Sequence, residues 1–260
     1  MSLTSPRRYW LTGAGSGIGA ALAEELLKTG AHLALSSRSP APLKVLSQRY
    51  PGQVLVLAGD LTNSQTVREI GEQIADAWGS LDTVILNAGT CEHVDARQFD
   101  HSIVEHLVRT NLLASSYCAE AALPLLRAGT APHLIGMASS VTYLPLPRKE
   151  AHGASRAGLR HLFESMRIEL APEGIEVTMV SPGPLNTQPT KPSDLSMPLS
   201  WPADKAARYI LEKLRNRPLE ITFPGMFMAA LWPMSNLPDR MVLAIGKRMV
   251  RSSPPIKDRP

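Results

Sequence analysis

Cysteine is scarce in this chain: Cys91 and Cys118 are its only two, and they do not form a CxxC pair. A disulfide framework or a cysteine-rich zinc site would need residues that the sequence does not contain. Isolated thiols are typical of a reducing compartment, so we expect both to stay reduced in a cytoplasmic protein.

Long hydrophobic runs are also missing. A membrane-spanning helix needs about eighteen consecutive apolar residues, and no such run occurs. The first strand-like stretch, residues 9–12, is followed at once by a glycine turn, so it is too short for the apolar region of a signal peptide. We therefore expect neither a spanning segment nor a secretory leader.

Charge is balanced over most of the chain. The formal net charge is +4, and residues 237–260 carry all of this excess, with six Lys or Arg and two Asp. Such a segment is typical of a solubilising tail, with contact to an anionic surface as the alternative. No basic face interleaved with aromatic residues occurs, so we expect no nucleic-acid partner.

The sequence does contain a regular alternation of strand-like and helix-like segments. Apolar runs typical of buried strands lie at 9–12, 32–36, 54–57, 83–86, 133–137, 176–181 and 219–223. Helical periodicity lies between them, at 18–29, 42–50, 64–78, 99–127, 151–171 and 203–215. This alternation predicts an α/β fold with a single Rossmann-type, doubly wound parallel sheet of about seven strands and helices on both faces.

The first strand ends in a glycine-rich turn, Thr12-Gly13-Ala14-Gly15-Ser16-Gly17-Ile18-Gly19. Glycines at a strand-to-helix turn let the backbone approach a pyrophosphate, and the free N–H groups of the following helix attract its charge. The turn therefore predicts a dinucleotide site, whose contacts we assign to Gly13, Gly15, Ser16, Gly17, Ile18 and Gly19.

Further motifs follow in order after the later strands. They are Asp60-Leu61, Asn87-Ala88-Gly89, Asn111 in the long helix, Ser139-Ser140, and Pro182-Gly183 with Thr187. Together with the TGxxxGIG spelling of residues 12–19, this series resembles the short-chain dehydrogenase/reductase family over about residues 7–223. The resemblance implies an oxidoreductase that works as a homodimer or homotetramer. It assigns Asn111 and Ser140 to the active site, and it assigns cofactor contacts to Asp60, Leu61, Asn87, Ala88, Gly89, Pro182, Gly183 and Thr187.

The turn after the second strand indicates which cofactor is bound. An NAD site needs an acidic residue there to accept a hydrogen bond from the ribose 2′-hydroxyl. This turn reads Ser36-Ser37-Arg38-Ser39 and holds no acid. A guanidinium pairs well with a 2′-phosphate, and serine hydroxyls can donate to it. We therefore predict NADP(H), held by Ser37 and Arg38.

The active-site pair that the resemblance implies is changed. The family uses a Tyr that gives a proton to the substrate oxygen, and a Lys four residues later that lowers the Tyr pKa and holds the nicotinamide ribose. The matching segment here is His152-Gly153-Ala154-Ser155-Arg156. His152 therefore stands at the Tyr position and Arg156 at the Lys position, so we assign the catalytic set as Ser140, His152, Arg156 and Asn111.

These substitutions alter the proton step. Arg156 can bind ribose hydroxyls but cannot deprotonate, which cuts a proton relay through this position. The reference pKa of a histidine is about 6.5 against about 10 for tyrosine, and a neighbouring cation lowers it further. An imidazole also ends roughly 2 Å short of a phenol oxygen, although a water molecule can bridge the gap.

Three functional hypotheses follow. The first is an NADP-dependent oxidoreductase acting on a hydrophobic carbonyl or alcohol, with His152 donating directly or through water. The second is an NADP-binding sensor or partner subunit with little turnover. The third is a scaffold or membrane-surface protein that keeps only the fold. The family resemblance favours the first, and the residue chemistry favours the second.

Several other residues have competing interpretations. Tyr143 follows Ser140 closely and is an alternative proton donor, which we disfavour because Pro145 and Pro147 make its segment irregular. Cys91, His93 and Asp95 alternate after the fourth strand, but a single short run is weak support for a metal site, so we predict none. Asn111 can equally bend its helix through backbone bonds.

The C-terminal part differs in composition from the rest. We divide the chain into an NADP-binding domain at 1–223 and an extension at 224–260 that is first apolar and then basic. The stretch at 184–202 is rich in Pro and Ser and predicts a mobile loop. An apolar, proline-interrupted extension can be a substrate lid, a subunit contact or a membrane-surface element, and we favour the first two from sequence.

Overall fold

The structure, a computed structural model, describes residues 6–186 and 200–252. Seven parallel strands form one sheet: β1 (Arg8–Thr12), β2 (His32–Ser37), β3 (Val54–Ala58), β4 (Thr83–Leu86), β5 (His133–Met137), β6 (Glu176–Pro182) and β9 (Glu220–Phe223). Two short strands, β7 (Leu185–Asn186) and β8 (Trp201–Pro202), pair separately. The predicted seven-stranded Rossmann-type sheet is confirmed. Most of the loop predicted at 184–202 lies outside the described residues.

Nine α-helices lie among the described residues. They are α1 (Gly17–Leu27), α2 (Ala41–Arg49), α3 (Ser64–Trp78), α4 (His101–Val108), α5 (Ala114–Arg127), α6 (Glu150–Leu170), α7 (Ala203–Leu214), α8 (Gly225–Ser235) and α9 (Asp239–Ser252). Local chemistry sets their ends, as α3 illustrates. Its N-cap Asn63 accepts hydrogen bonds from the first-turn amides, and Gly79 ends it in a left-handed conformation with φ of +68°.

The sheet order is β3-β2-β1-β4-β5-β6-β9. The chain runs outward from β1 to β3 and then returns to place β4 on the other side of β1. This reversal opens a crevice at the carboxyl ends of β1 and β4, which is where doubly wound folds bind their ligands.

Both faces of the sheet are buried under helices. Trp10 and Leu11 are neighbours in β1, and both are fully buried on opposite faces. Trp10 belongs to the cluster that includes Phe163 of α6, and Leu11 to the cluster that includes Leu22 of α1. Burial on both faces explains why the strands are continuous apolar runs without alternation.

The long helix predicted at 99–127 is instead interrupted. A wider, π-helical turn at Arg109–Leu113 separates α4 from α5. Asn111 lies in this turn and bonds to the backbone of Thr90 outside the helix. The π-helical turn therefore occurs where a polar side chain bonds to a neighbouring loop. Such turns are frequent at functional sites.

No helix among the described residues combines the length and apolarity that crossing a bilayer requires. The extension after β9 forms α8 and α9, joined by a short turn at Asn236–Pro238. Pro233 lies inside the last turn of α8.

His133 at the start of β5 makes stability depend on pH. Its side chain is 3% exposed, and its Nε2 lies 2.8 Å from the Thr178 hydroxyl. Burial and the nearby Arg217 and Arg7 lower the pKa of His133 to about 4, below its ordinary value of 6.5. Between these values only the unfolded chain binds the proton, so stability falls as pH falls.

We expect the free energy of unfolding to drop by about 2 kcal/mol from pH 7 to pH 5 through His133 alone. Urea unfolding at the two pH values measures this drop. The variant His133→Gln should lose that part of the pH dependence, and an equal drop in both proteins would contradict the assignment.

Candidate active site

The turn between β1 and α1 is shaped for close approach of a ligand. Gly13 has φ of +67°, and a Cβ at this position would lie 2.9 Å from Ala88 Cα. A Cβ at Gly19 would overlap the Gly13 carbonyl. Ser16, the N-cap of α1, makes no side-chain capping bond, so the first-turn amides keep their donors for a phosphate. The turn fits the pyrophosphate of a dinucleotide.

Asn87 fixes this turn from the neighbouring strand. Its Nδ2 donates to the carbonyls of Thr12 at 3.1 Å and Gly13 at 3.3 Å. The buried Thr12 hydroxyl accepts from the backbone N–H of Asn87 and of Ala88. The ends of β1 and β4 are therefore tied together, which keeps the crevice between them in one shape.

Arg38 and Asp60 lie at the ends of the adjacent strands β2 and β3, and both are exposed. Hydrogen bonds from Thr62, backbone first, and the nearby Arg38 hold the pKa of Asp60 below its ordinary value, so it stays ionised. The Ser37 hydroxyl donates to the Ser39 carbonyl at 2.6 Å, so its proton is engaged within the turn. Leu61 is buried beside Asp60. Arg38 is thus an exposed cation at the end of β2, on the same edge of the sheet as the glycine turn.

On the other side of the crevice, the backbone of Thr90 connects two of the predicted catalytic residues. Asn111 is fully buried, its Oδ1 accepts from Thr90 N at 2.8 Å, and its Nδ2 donates to Thr90 O at 3.0 Å. His152 Nδ1 lies 3.2 Å from the same Thr90 carbonyl. Ser155, from the next turn of α6, accepts from Asn111 Nδ2. The amide of Asn111 is therefore fully engaged in joining three segments.

The bond to Thr90 fixes the protonation of His152. A carbonyl oxygen can only accept, so Nδ1 carries the proton and Nε2 presents a lone pair. Burial, followed by the charges of Arg156 and Lys149, lowers the pKa of His152 to about 4. At neutral pH the imidazole is uncharged and its single N–H is already in use.

Arg156 points into the protein interior. It is 7% exposed, its Nη1 donates to Met137 O at 2.7 Å, and its Nε has no hydrogen-bond partner. A Cβ at Gly89 would overlap the guanidinium, so the glycine of this motif makes room for Arg156. Burial lowers its pKa to about 10, which leaves it charged at neutral pH. Among the described residues, no carboxylate forms an ion pair with it.

Ser139 and Ser140 have different roles. The Ser139 hydroxyl accepts from Val141 N and caps the short 3-10 helix at Ser140–Thr142. The Ser140 side chain makes no hydrogen bond to the rest of the described chain, although the residue is buried. A Cβ at Gly153 would lie in van der Waals contact with Val141, so this turn packs against the start of α6, next to His152. Of the two hydroxyls, only that of Ser139 is engaged as a cap.

Lys149 is a neighbour of the site that the sequence reasoning did not include. Its Nζ lies 3.1 Å from Cys91 Sγ and 3.1 Å from His93 Nε2. An ammonium group thus lies where a metal would have to bind Cys91 and His93, while Asp95 caps the turn at Ala96–Gln98. No group of three metal-ligating side chains occurs in the described part of the chain. Only the three-dimensional packing of residues 91 and 149 reveals this contact.

Tyr143 is engaged away from His152. Its hydroxyl donates to Glu220 Oε1, and Glu220 also accepts from Arg160 and from Ser181. Burial and the bond to Glu220 raise the pKa of Tyr143 above its ordinary value. The phenol proton therefore holds the loop after β5 against β9.

We expect Tyr143→Phe to cost about 2 kcal/mol of stability, because one hydrogen bond to a charged acceptor is lost. Turnover and cofactor affinity should stay unchanged. Thermal unfolding and steady-state kinetics on the same preparation test both statements. A loss of turnover by an order of magnitude or more, at unchanged stability, would instead make Tyr143 the proton donor.

The motif after β6 lies beside the C-terminal extension. Gly183 N donates to Phe223 O at 2.7 Å. A Cβ at Gly183 would lie 3.0 Å from the Phe227 ring of α8, so only glycine fits comfortably. Pro182 ends β6, and Thr187 lies outside the described residues.

Comparison with known proteins agrees with this architecture. Residues 9–197 match the sequence profile of the short chain dehydrogenase family. The chain is 33% identical over 187 residues to an 11-beta-hydroxysteroid dehydrogenase-like protein of Arabidopsis thaliana, covering 70% of this chain and 60% of the plant protein. It is also 33% identical over 200 residues to an uncharacterized oxidoreductase of Staphylococcus aureus, covering 75% of this chain and 86% of that protein.

Solved structures share the whole fold. A short-chain dehydrogenase from Streptomyces avermitilis superimposes with a TM-score of 0.81 at 22% identity, covering 95% of this chain and 98% of that one. A short chain dehydrogenase from Burkholderia cenocepacia in complex with NADP superimposes with a TM-score of 0.79 at 24% identity, covering 96% and 98%. Because the solved structures are less than 25% identical to this chain, they establish only its fold. The family assignment depends on the sequence matches. The chain belongs to the short-chain dehydrogenase family.

Proposed function

We propose that this protein is an NADP(H)-dependent oxidoreductase for a hydrophobic alcohol or carbonyl compound, with an altered proton step. The cofactor assignment depends on one observation, namely that two features occur together at one edge of the sheet. The glycine turn leaves the N-terminal amides of α1 without a side-chain cap, and Arg38 lies at the end of β2 where no acid is present. The first suits a pyrophosphate and the second suits an extra phosphate. The solved relative from Burkholderia is itself described in complex with NADP.

The cofactor, when bound, would supply or accept the hydride, and the chain's own residues would handle the oxygen and its proton. Ser140 is available to donate to the substrate oxygen. His152 presents a lone pair at Nε2, so it can accept a proton from a hydroxyl group but has none to give. In the reducing direction the proton must therefore come from bulk solvent, relayed by a water molecule hydrogen-bonded to His152. The geometry suits alcohol oxidation better than carbonyl reduction.

The same observations favour a second candidate, a protein that binds NADP(H) with little turnover. His152 is neutral and its N–H is bonded to the Thr90 carbonyl, whereas Arg156 is bonded to the buried Met137 carbonyl. Both features lower the rate of proton transfer. The two candidates share the cofactor site and differ only in rate.

Two measurements test the proposal. Titration with NADPH and with NADH, followed by nicotinamide fluorescence, should give tight binding of NADPH and weaker binding of NADH. A panel of apolar secondary alcohols with NADP⁺, and of the matching ketones with NADPH, then measures turnover in each direction. Binding without turnover on the panel selects the second candidate, and failure to bind either dinucleotide refutes both.

A further inference from the structure

The helix α8 is apolar on its outer face as well as on its inner face. Its eleven residues include no charged side chain. On the inner face, Met228 and Leu231 are buried against Leu144. On the outer face, Met226 is 76% exposed and Trp232 is 66% exposed. A helix that is hydrophobic all round is normally buried on all sides. The exposed outer face of α8 therefore indicates an interaction surface.

The next helix, α9, adds positive charge to this surface. It holds four basic residues and one acidic residue. Val242 packs on the α8 cluster, whereas Met241 is 51% exposed and Leu243, Met249 and Val250 are also exposed. The exposed Arg240 and Lys247 lie beside these apolar side chains. Both helices therefore expose apolar side chains, and α9 adds Arg240 and Lys247 among its exposed apolar residues; we call the exposed residues of α8 and α9 the C-terminal face.

We propose that the C-terminal face binds the surface of a membrane that contains anionic lipids. An interfacial helix buries apolar side chains among the acyl chains while its basic residues pair with anionic headgroups. Tryptophan is enriched at this depth of a bilayer, and Trp232 is the most exposed aromatic side chain on α8. The proposal concerns a surface contact and does not depend on the oxidoreductase activity.

Two other partners fit the surface less well. A second copy related by a two-fold axis would bring the same positively charged face against itself, which opposes the contact. A substrate lid would bury its apolar side chains toward the crevice, but the inner face of α8 is already packed and the exposed residues point outward. Only an anionic, apolar partner matches both the charge and the exposure.

Flotation of the full chain with lipid vesicles tests the proposal. We expect co-flotation with vesicles of equal parts phosphatidylcholine and phosphatidylglycerol, little with phosphatidylcholine alone, and a decrease at high salt. Trp232→Ser should lower partitioning about tenfold or more, because a large apolar side chain is removed. Arg240→Glu with Lys247→Glu should lower it roughly thirtyfold or more, since each basic residue near the surface strengthens binding about fivefold.

The matched control is Ile168→Ser, which removes an apolar side chain that is 74% exposed on α6, outside the C-terminal face. It should float like the parent. All four substituted positions are exposed, and circular dichroism melting checks that each variant folds. Failure of the parent to float on anionic vesicles overturns the proposal, as does unchanged flotation of Trp232→Ser. A dimer in sedimentation equilibrium that Trp232→Ser dissociates, without any flotation, would identify a second copy as the partner and overturn it too.

Discussion

Replacing His152 by Tyr and Arg156 by Lys in one variant should raise NADPH-dependent carbonyl reduction about a hundredfold. Positioned general acids contribute about 10²- to 10⁴-fold to such rates, and the parent protein lacks one. The single N–H of its neutral His152 is engaged by the Thr90 carbonyl, so it has no proton for a substrate oxygen. A phenol at position 152 reaches farther and carries a proton, and a lysine ammonium four residues later lies on the same helix face to lower its pKa.

The single variants show whether the two positions act together. His152→Tyr alone leaves the buried guanidinium bonded to Met137 O, so we expect only part of the gain. Arg156→Lys alone leaves no acid and should give none. The measurement is the initial rate of NADPH oxidation on a panel of apolar ketones, with NADPH affinity determined in parallel. A parent that is as fast as the double variant would show that our account of the proton step is wrong.

The sheet and most helices could be predicted from the sequence because burial determines the pattern of apolar residues in each element. A parallel strand covered on both faces must be apolar at nearly every position, and residues 83–86 and 133–137, which are all buried, show this pattern. The bounds of α3 were predictable for a similar reason, since Asn63 and Gly79 carry the chemistry of a helix start and a helix end. The cofactor turn was predictable because its glycines have a backbone function that no other residue can perform.

The contacts made by the ends of long side chains could not be predicted from the sequence pattern. Arg156 is at the expected position on α6, but its contact with Met137 O depends on the room beside Gly89, 67 positions earlier in the numbering of the chain. The contact between Tyr143 and Glu220, and that between Lys149 and Cys91, likewise join distant segments. Local pattern specifies which face of an element a residue occupies, whereas packing between elements decides what the end of its side chain meets.

The C-terminal face shows a related limit. Apolar residues and prolines in 224–249 indicate that the segment is not a simple tail, and a lid or subunit contact is the first interpretation of such a composition. The sequence of this segment does not determine which of its side chains are buried. It depends on the loop after β5, where Leu144 buries one side of α8 and leaves the other exposed.

Replacing Arg38 by Asp should change the preference between NADPH and NADH by roughly three orders of magnitude. Loss of the charge-assisted hydrogen bonds to the 2′-phosphate costs about 1.5–3 kcal/mol, which is roughly a hundredfold in affinity. A carboxylate at the end of β2 repels that phosphate, and it can accept a hydrogen bond from the 2′-hydroxyl of NADH instead. The nearby Asp60 adds to the negative charge at this edge of the sheet. Fluorescence titration with both dinucleotides measures the ratio of the two dissociation constants.

Lys44→Asp is the matched control for this change. Lys44 is an exposed cation on α2, the helix that follows the Arg38 turn, so the substitution alters the net charge by the same amount at a position that we do not assign to the phosphate. A general loss of positive potential would weaken NADPH binding equally in both variants and would fall steeply with salt. A specific phosphate contact predicts a large effect for Arg38→Asp and a small one for Lys44→Asp. Equal effects, or an unchanged ratio of NADPH to NADH affinity in Arg38→Asp, would remove Arg38 from the cofactor site and with it the main reason for assigning NADP(H).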